Sequence, residues 1–239
     1  MSKFFIIFFC FLSTQTFARQ AEDEILKEEL FHQTSDKHIS FSYENARRHM
    51  FNDIYLKKDA QGYYIEGVYC LEKYYPFNGS APGARLPNPA AFNTEHTWPQ
   101  SKFSKLFSAN VQKTDLHHLY PTIAKINSQR GNLPFAEVLK DTELYCDESQ
   151  SGKSENGSKG TYFEPPNSHK GNVARSMFYF SIRYKIAIDP TQEFYLRLWH
   201  KEDPVDAEEK RRHEMIFNLQ QNRNPFIDDP ELVITISDF

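Results

Sequence analysis

The chain has 239 residues, of which 39% are apolar, 25% charged and 15% aromatic, with 21 Phe and 13 Tyr. That is enough to build a core, and it excludes intrinsic disorder, collagen and coiled coil. A net charge of -4 excludes a uniformly basic nucleic-acid coat, but not one local basic patch.

The first 18 residues read as a secretory leader. Lys3 is the positive start, Phe4 to Leu12 is an apolar run of nine residues, and Thr16-Phe17-Ala18 is a small-x-small cleavage site. A cut after Ala18 is expected, leaving residues 19–239 as one mature domain, periplasmic or secreted. Nine apolar residues are too few to span a bilayer, and no other segment is long and apolar enough, so no membrane partner is expected. Cys70 and Cys146 then remain as an even pair in an oxidising compartment. A bridge between them, worth about 4 kcal/mol, is favoured over two buried thiols.

In chain order, Glu22 to Gln33 carries Ile25, Leu26, Leu30 and Phe31 among acids and predicts an amphipathic helix. Ser42 caps a helix bearing Ala46, Met50 and Ile54. Aromatic, β-branched Gly62 to Cys70 predicts a strand, and Gly- and Pro-rich Asn78 to Pro89 a surface loop. Phe92 to Trp98 is extended, because Pro99 disfavours helix before it. Leu116 to Tyr120 is a short strand or turn, and Thr122 starts a helix running to about Arg130. Ser149 to Gly160 is a loop. Helices follow at Asn172 to Ile186, at Thr191 to His200, and from a cap at Asp203 to about Gln221. Leu232 to Ile236 is strand-like. The expected fold is a single helix-rich α+β domain with a few short strands.

Charge is unevenly placed. Between His96 and Phe135, Lys102, Lys105, Lys113, Lys125 and Arg130 face Asp115 alone. Between His169 and Lys185, Lys170, Arg175, Arg183 and Lys185 face no acid. Two basic tracts in an acidic chain suggest a phosphate-bearing ligand, although a solvated mixed surface gives the same pattern.

Three segments carry chemistry: Asn93-Thr94-Glu95-His96-Thr97-Trp98-Pro99, Asp115-Leu116-His117-His118-Leu119-Tyr120-Pro121, and Lys125-Ile126-Asn127-Ser128-Gln129-Arg130-Gly131-Asn132. Phosphodiester hydrolysis needs a base for water and a divalent cation for the charge that builds on phosphorus and the leaving oxygen. A His titrates near neutrality and can be the base. Mg²⁺ needs only one or two protein oxygens, which Glu95 and Asn127 can supply. Neighbours on a straight strand point to opposite faces, so Glu95 and His96 reach one site only if the strand bends or ends there.

These segments resemble the endonuclease I family, the secreted and periplasmic non-specific nucleases with a ββα-metal, or His-Me, finger. The matching residues are Glu95-His96-x-Trp98-Pro99, Asp115-Leu116-His117-His118-Leu119-x-Pro121 and Asn127-x-x-Arg130-x-Asn132. Phe163-Glu164-Pro165-Pro166, Lys170-Gly171-Asn172-Val173-Ala174-Arg175 with Tyr179 and Arg183-Tyr184, and Gln221-Asn222-Arg223-Asn224-Pro225-Phe226-Ile227-Asp228 also match, in collinear order over roughly 40–235. The resemblance implies His96 as general base, and Glu95 and Asn127 as ligands of one Mg²⁺, with Mn²⁺ or Ca²⁺ as substitutes. It implies cleavage of DNA, and often of RNA, to 5′-phosphate ends; separately, a monomer is the default expectation. Some members carry more disulfides than the one available here. Some also place an Arg for the phosphorane in a longer segment between the His and the Asn; Arg130 or Arg175 is the candidate replacement.

Each residue has a plainer role. Glu95 could orient rather than ligate, Asn127 could cap a helix, and His117 and His118 could be structural. Arg130, Arg175, His117 and Lys125 are the candidate phosphate contacts, with Arg175 equally placed to form an internal ion pair. Two other functions compete with the nuclease. Asp115, His117 and His118 could hold Zn²⁺ in a small-phosphoester hydrolase. The chain could also bind extracellular DNA without cutting it.

Overall fold

The computed structural model describes the backbone of residues 4–239 and the side chains of 19–239. The side chains of the expected leader and its cut after Ala18 lie outside the described residues. Of the chain, 45% is helical and 16% strand, in small sheets, as expected for a single α+β domain.

The central element is helix α5 (Asn167–Tyr184), which is buried along nearly its whole length. Its apolar residues Val173, Ala174, Met177, Phe178, Phe180 and Ile182 form the heart of the larger core. Around it pack α1 (Phe4–Ser35), α6 (Pro190–Glu202) and α8 (Pro225–Asp228). Gly171 lets α6 approach: a Cβ there would sit 2.0 Å from the Asp203 carbonyl, and an Asp203 carboxylate oxygen accepts the Gly171 N–H at 2.8 Å.

A second core holds Ala46, Met50, Phe51, Ile54, Ile65, Phe92, Leu116, Leu119 and Ile216. Helix α2 (Tyr43–Arg48) enters it from the Ser42 cap, whose hydroxyl accepts from Asn45 N. A π-helical turn over His49–Ile54 continues it. Helix α7 (Ala207–Gln220) closes the other side; its cap is Asp206 rather than Asp203, because Pro204 ends the preceding segment and the Asp206 carboxylate takes the Glu209 N–H.

Three small antiparallel sheets complete the fold. The first joins β1 (Leu56–Asp59), β2 (Gly62–Glu66) and β3 (Lys73–Tyr74). Strand β2 stops four residues short of Cys70, where the chain turns instead. The second pairs β4 (Phe92–His96) with β5 (Leu119–Ile123), with His96 opposite Leu119. Helix α4 (Ala124–Arg130) follows at once, so that two strands and a helix form one finger. The third joins β6 (Val138–Thr142), β7 (Gln150–Ser154) and β8 (Tyr162–Glu164). Strand β7 lies inside the expected loop 149–160. The last segment is also corrected: Leu232–Thr235 is a helical turn, α9, rather than a strand.

Cys70 and Cys146 are bonded, across 76 positions of sequence. Among the described residues no helix is long and apolar enough to cross a membrane.

Candidate active site

The finger places the chemistry-bearing residues. Strand β4 ends at His96, which relaxes the alternation that would otherwise keep Glu95 and His96 apart. The two side chains still meet different neighbours. His96, 6% exposed, packs near the rings of Tyr43, Phe103 and His118. Glu95, 1% exposed, runs to Tyr69 and Arg130.

The hydrogen bonds of His96 fix its tautomer. Nε2 lies 3.1 Å from the Lys113 carbonyl oxygen, at the end of helix α3 (Ala109–Lys113). A carbonyl only accepts, so Nε2 carries the proton and Nδ1 the lone pair. Gln100 Nε2 donates to Nδ1 at 3.3 Å, a long bond that leaves this lone pair weakly engaged. Burial, and then the neighbouring His118, hold the His96 pKa well below its ordinary value, so the ring is neutral at pH 7. A neutral imidazole with an available Nδ1 is the form a general base needs.

The Glu95 carboxylate accepts from Tyr69 Oη at 2.8 Å through Oε1, and the same oxygen is 3.1 Å from an Arg130 nitrogen. Burial raises the Glu95 pKa, and the Arg130 charge opposes the rise. Asn127, on α4, donates from Nδ2 to Asn93 Oδ1 at 2.7 Å and to the Thr94 carbonyl at 3.1 Å. These bonds tie the helix to the strand at the residues before Glu95. Among the described residues neither Glu95 Oε2 nor Asn127 Oδ1 has a side-chain hydrogen-bond partner. Two hard oxygens without side-chain partners, on adjoining elements, fit a divalent cation such as Mg²⁺.

Of the four candidate phosphate contacts, Lys125 alone is exposed. Arg130 is 1% exposed and inside the protein: it donates to the carbonyls of His96, Thr97 and Gly131 and lies over the Phe135 ring. It therefore braces the Glu95-His96-Thr97 backbone. Arg175 forms the internal ion pair, donating from Nε to Glu209 at 2.8 Å, with both side chains buried. His117 is fully buried and bonded to the Asn222 carbonyl.

The Asp115-His117-His118 cluster is a folding node. Asp115 accepts from Tyr179 and Tyr184 hydroxyls at 2.7 and 2.8 Å, from Gln220 Nε2 at 2.8 Å and from His117 N at 3.1 Å. His118 bonds the Gln112 carbonyl. Among the described residues no group of three or more His, Cys, Asp or Glu is arranged to hold a metal ion, which counts against the zinc site considered above.

A model of the Endonuclease I family matches residues 23–231. The chain belongs to the Endonuclease I family. Among similar proteins, the extracellular ribonuclease of Bacillus amyloliquefaciens is 36% identical over 162 residues, 59% of this chain and 52% of that protein. Endonuclease-1 of Buchnera aphidicola subsp. Acyrthosiphon pisum is 30% identical over 117 residues, 48% and 44% of the two chains. An extracellular deoxyribonuclease of Aeromonas hydrophila is 26% identical over 168 residues, 63% and 70%. The chain spans about half the length of the Bacillus relatives it matches. Two further motif residues hold elements of the fold together. In this Endonuclease I chain Asn222 donates to the Thr34 carbonyl and the Tyr179 hydroxyl, and Asn224 caps α8 and donates to the Arg175 carbonyl.

Several contributors gave no warning in the sequence. Tyr69, Gln100 and the Lys113 carbonyl touch Glu95 and His96 from separate parts of the chain. Only the positions of Tyr69 beside Cys70 and of Gln100 just after Trp98-Pro99 hinted at them.

Proposed function

We propose that the chain is a Mg²⁺-dependent endonuclease, largely non-specific for sequence, that hydrolyses DNA and RNA phosphodiester bonds to 5′-phosphate ends. The observation that carries this reading is the His96 geometry at the end of β4. The imidazole is neutral, Nε2 is anchored on a carbonyl, and Nδ1 faces only a long amide contact. Nδ1 takes a proton from water as that water attacks phosphorus. The Lys113 carbonyl holds the ring in place and stabilises the imidazolium so formed. Glu95 and Asn127 would hold the cation, which supplies charge neutralisation at the phosphate oxygens and the leaving 3′ oxygen. Arg130 and Tyr69 keep the Glu95 carboxylate in place.

The names of the relatives, ribonuclease in one genus and deoxyribonuclease in another, support both nucleic acids as substrates. Their extracellular and periplasmic names support action outside the cytoplasm; the leader 1–18 would direct the export, and the mature domain 19–239 would act as a monomer. Binding is to phosphates and falls as salt rises.

The test is plasmid nicking by the mature protein with Mg²⁺ or EDTA, beside His96→Ala, with end-labelling of the products. Mg²⁺-dependent nicking that leaves 5′-phosphates and is lost in His96→Ala supports the assignment. Cleavage surviving in His96→Ala would move the base elsewhere. DNA binding without cleavage by the wild type would favour the non-catalytic binder.

A further inference from the structure

Beside His96 lie two cations that the hydrolytic residues do not use. Arg47 lies in the last turn of α2 and Lys113 at the end of α3. Both sit by the ring of Tyr43, the Arg47 guanidinium carbon 5.8 Å and the Lys113 ammonium 4.1 Å from its centre. The Tyr43 and His96 ring centres are 5.9 Å apart. Tyr43, Arg47 and Lys113 are all partly exposed.

Among the described residues neither cation forms an ion pair. The acids near them on the chain are engaged elsewhere: Glu44 pairs with Arg48, and Asp53 with His49. The contrast with the other basic tract is direct. Lys170 is held by Glu137 and Glu164, Arg175 by Glu209 and Lys185 by Glu28. Internal acids thus take three of the four cations of that tract, whereas Arg47 and Lys113 are left for an outside anion.

The two cations are also held in place. The face of a Tyr ring attracts an ammonium or guanidinium group, which restricts long side chains that would otherwise lose entropy on binding. Asn110 donates to the Phe41 carbonyl at 3.2 Å and so ties α3 to the entry of α2. Lys113 is fixed to the base as well, because its own carbonyl accepts from His96. Separations of 4.1 and 5.9 Å end to end span no more than about three nucleotide rises of 3.4 Å.

We propose that Arg47 and Lys113, aligned by Tyr43, bind phosphates of the nucleic-acid strand adjacent to the one attacked, and so lay the polymer across His96. This rests on the nuclease reading, and it names where the strand lies. A polyanion with regularly spaced phosphates can satisfy these cations while another of its phosphates lies at His96.

The experiment measures fluorescence anisotropy of a labelled single-stranded oligonucleotide in EDTA, where nothing is cut, from 50 to 200 mM NaCl. Arg47→Ala, Lys113→Ala, the double variant, Lys113→Arg and a remote control, Lys201→Ala, are compared with wild type, each after a circular-dichroism melt to check folding. Each lost phosphate contact lowers the slope of log affinity against log salt by about 0.7. The expected result is that fall in each single variant, about twice that fall in the double variant, and recovery in Lys113→Arg. Slopes in the double variant equal to those of Lys201→Ala overturn the proposal and leave both cations as surface partners of Tyr43. The nuclease reading is judged separately by Mg²⁺-dependent cleavage with the wild type. Cleavage with unchanged slopes refutes the strand path alone, and altered slopes without cleavage refute the nuclease alone.

Discussion

Three buried histidines alone should take about 6 kcal/mol from the stability of the fold when the pH is lowered from 7.5 to 5.0. His117, His118 and His169 are wholly inside the protein, and burial is the first cause that brings their pKa values down, to about 3, about 4 and about 3. Asp115 opposes the fall for His117 and His118, and Arg212 and Arg175 add to it for His169. In the unfolded chain each titrates near 6.5. Folded values below unfolded ones mean that stability is whole above about pH 6.5. It is lost as pH falls from there, until the folded values are reached. At pH 5 the unfolded chain has bound a proton at each site and the folded chain almost none, which costs about 2 kcal/mol per histidine. That is comparable to the whole stability of an ordinary domain, on the order of 5–15 kcal/mol. Urea unfolding followed by the fluorescence of Trp98 and Trp199 at the two pH values measures it. His169→Phe, which keeps a ring between Tyr69 and Tyr120, should recover about 2 kcal/mol of the loss. Equal unfolding free energies at pH 7.5 and 5.0 would refute the reasoning.

Other outcomes follow from individual contacts. Tyr69→Phe removes the buried donor to Glu95 and should cost about 1.5–3 kcal/mol in urea unfolding; isothermal titration should also show weaker Mg²⁺ binding, and unchanged Mg²⁺ affinity would show that Tyr69 does not position that carboxylate. Replacing both Cys70 and Cys146 by Ser should lower stability by about 4 kcal/mol, and a thiol assay on the unreduced, denatured wild type should find none of the thiol of this pair. Glu209→Gln strands the buried Arg175 and should cost about 3–5 kcal/mol, whereas changing both residues to Met and Leu should recover most of that in thermal melts.

The sequence exposed the parts of the fold in which local pattern and tertiary role agree. The Ser42 cap, the extended run ending at Pro99 and the apolar stripe of α5 all appear where their residues place them. Strand β7 was hidden because Gln150 to Ser154 is polar and carries Gly152, which the close Leu139 carbonyl requires. Such a stretch is indistinguishable from a loop until its partners are known. The Leu232 turn was misread for the opposite reason: its β-branched residues favour a strand, but Pro230 and the carbonyls of Asp229 to Leu232 wind it into a helix. At the candidate site, the placing of His96, Glu95 and Asn127 on one strand-helix finger was legible because they are local motif residues. The fates of Arg130 and Arg175 were not, since whether an Arg meets solvent or a buried Glu depends on chain 34 residues away, as Arg175 and Glu209 show.

The disulfide has a topological consequence. Cys70 and Cys146 enclose β4, β5 and α4 entire, so the finger hangs on one covalent ring. The largely exposed stretch 78–89 lies inside that ring. A protease that cuts there opens the ring without parting the chain. The two pieces stay joined through the sulfur atoms, and Phe92 to Arg130 stays covalently attached to both. One cut in this exposed stretch therefore need not separate the halves of the candidate site.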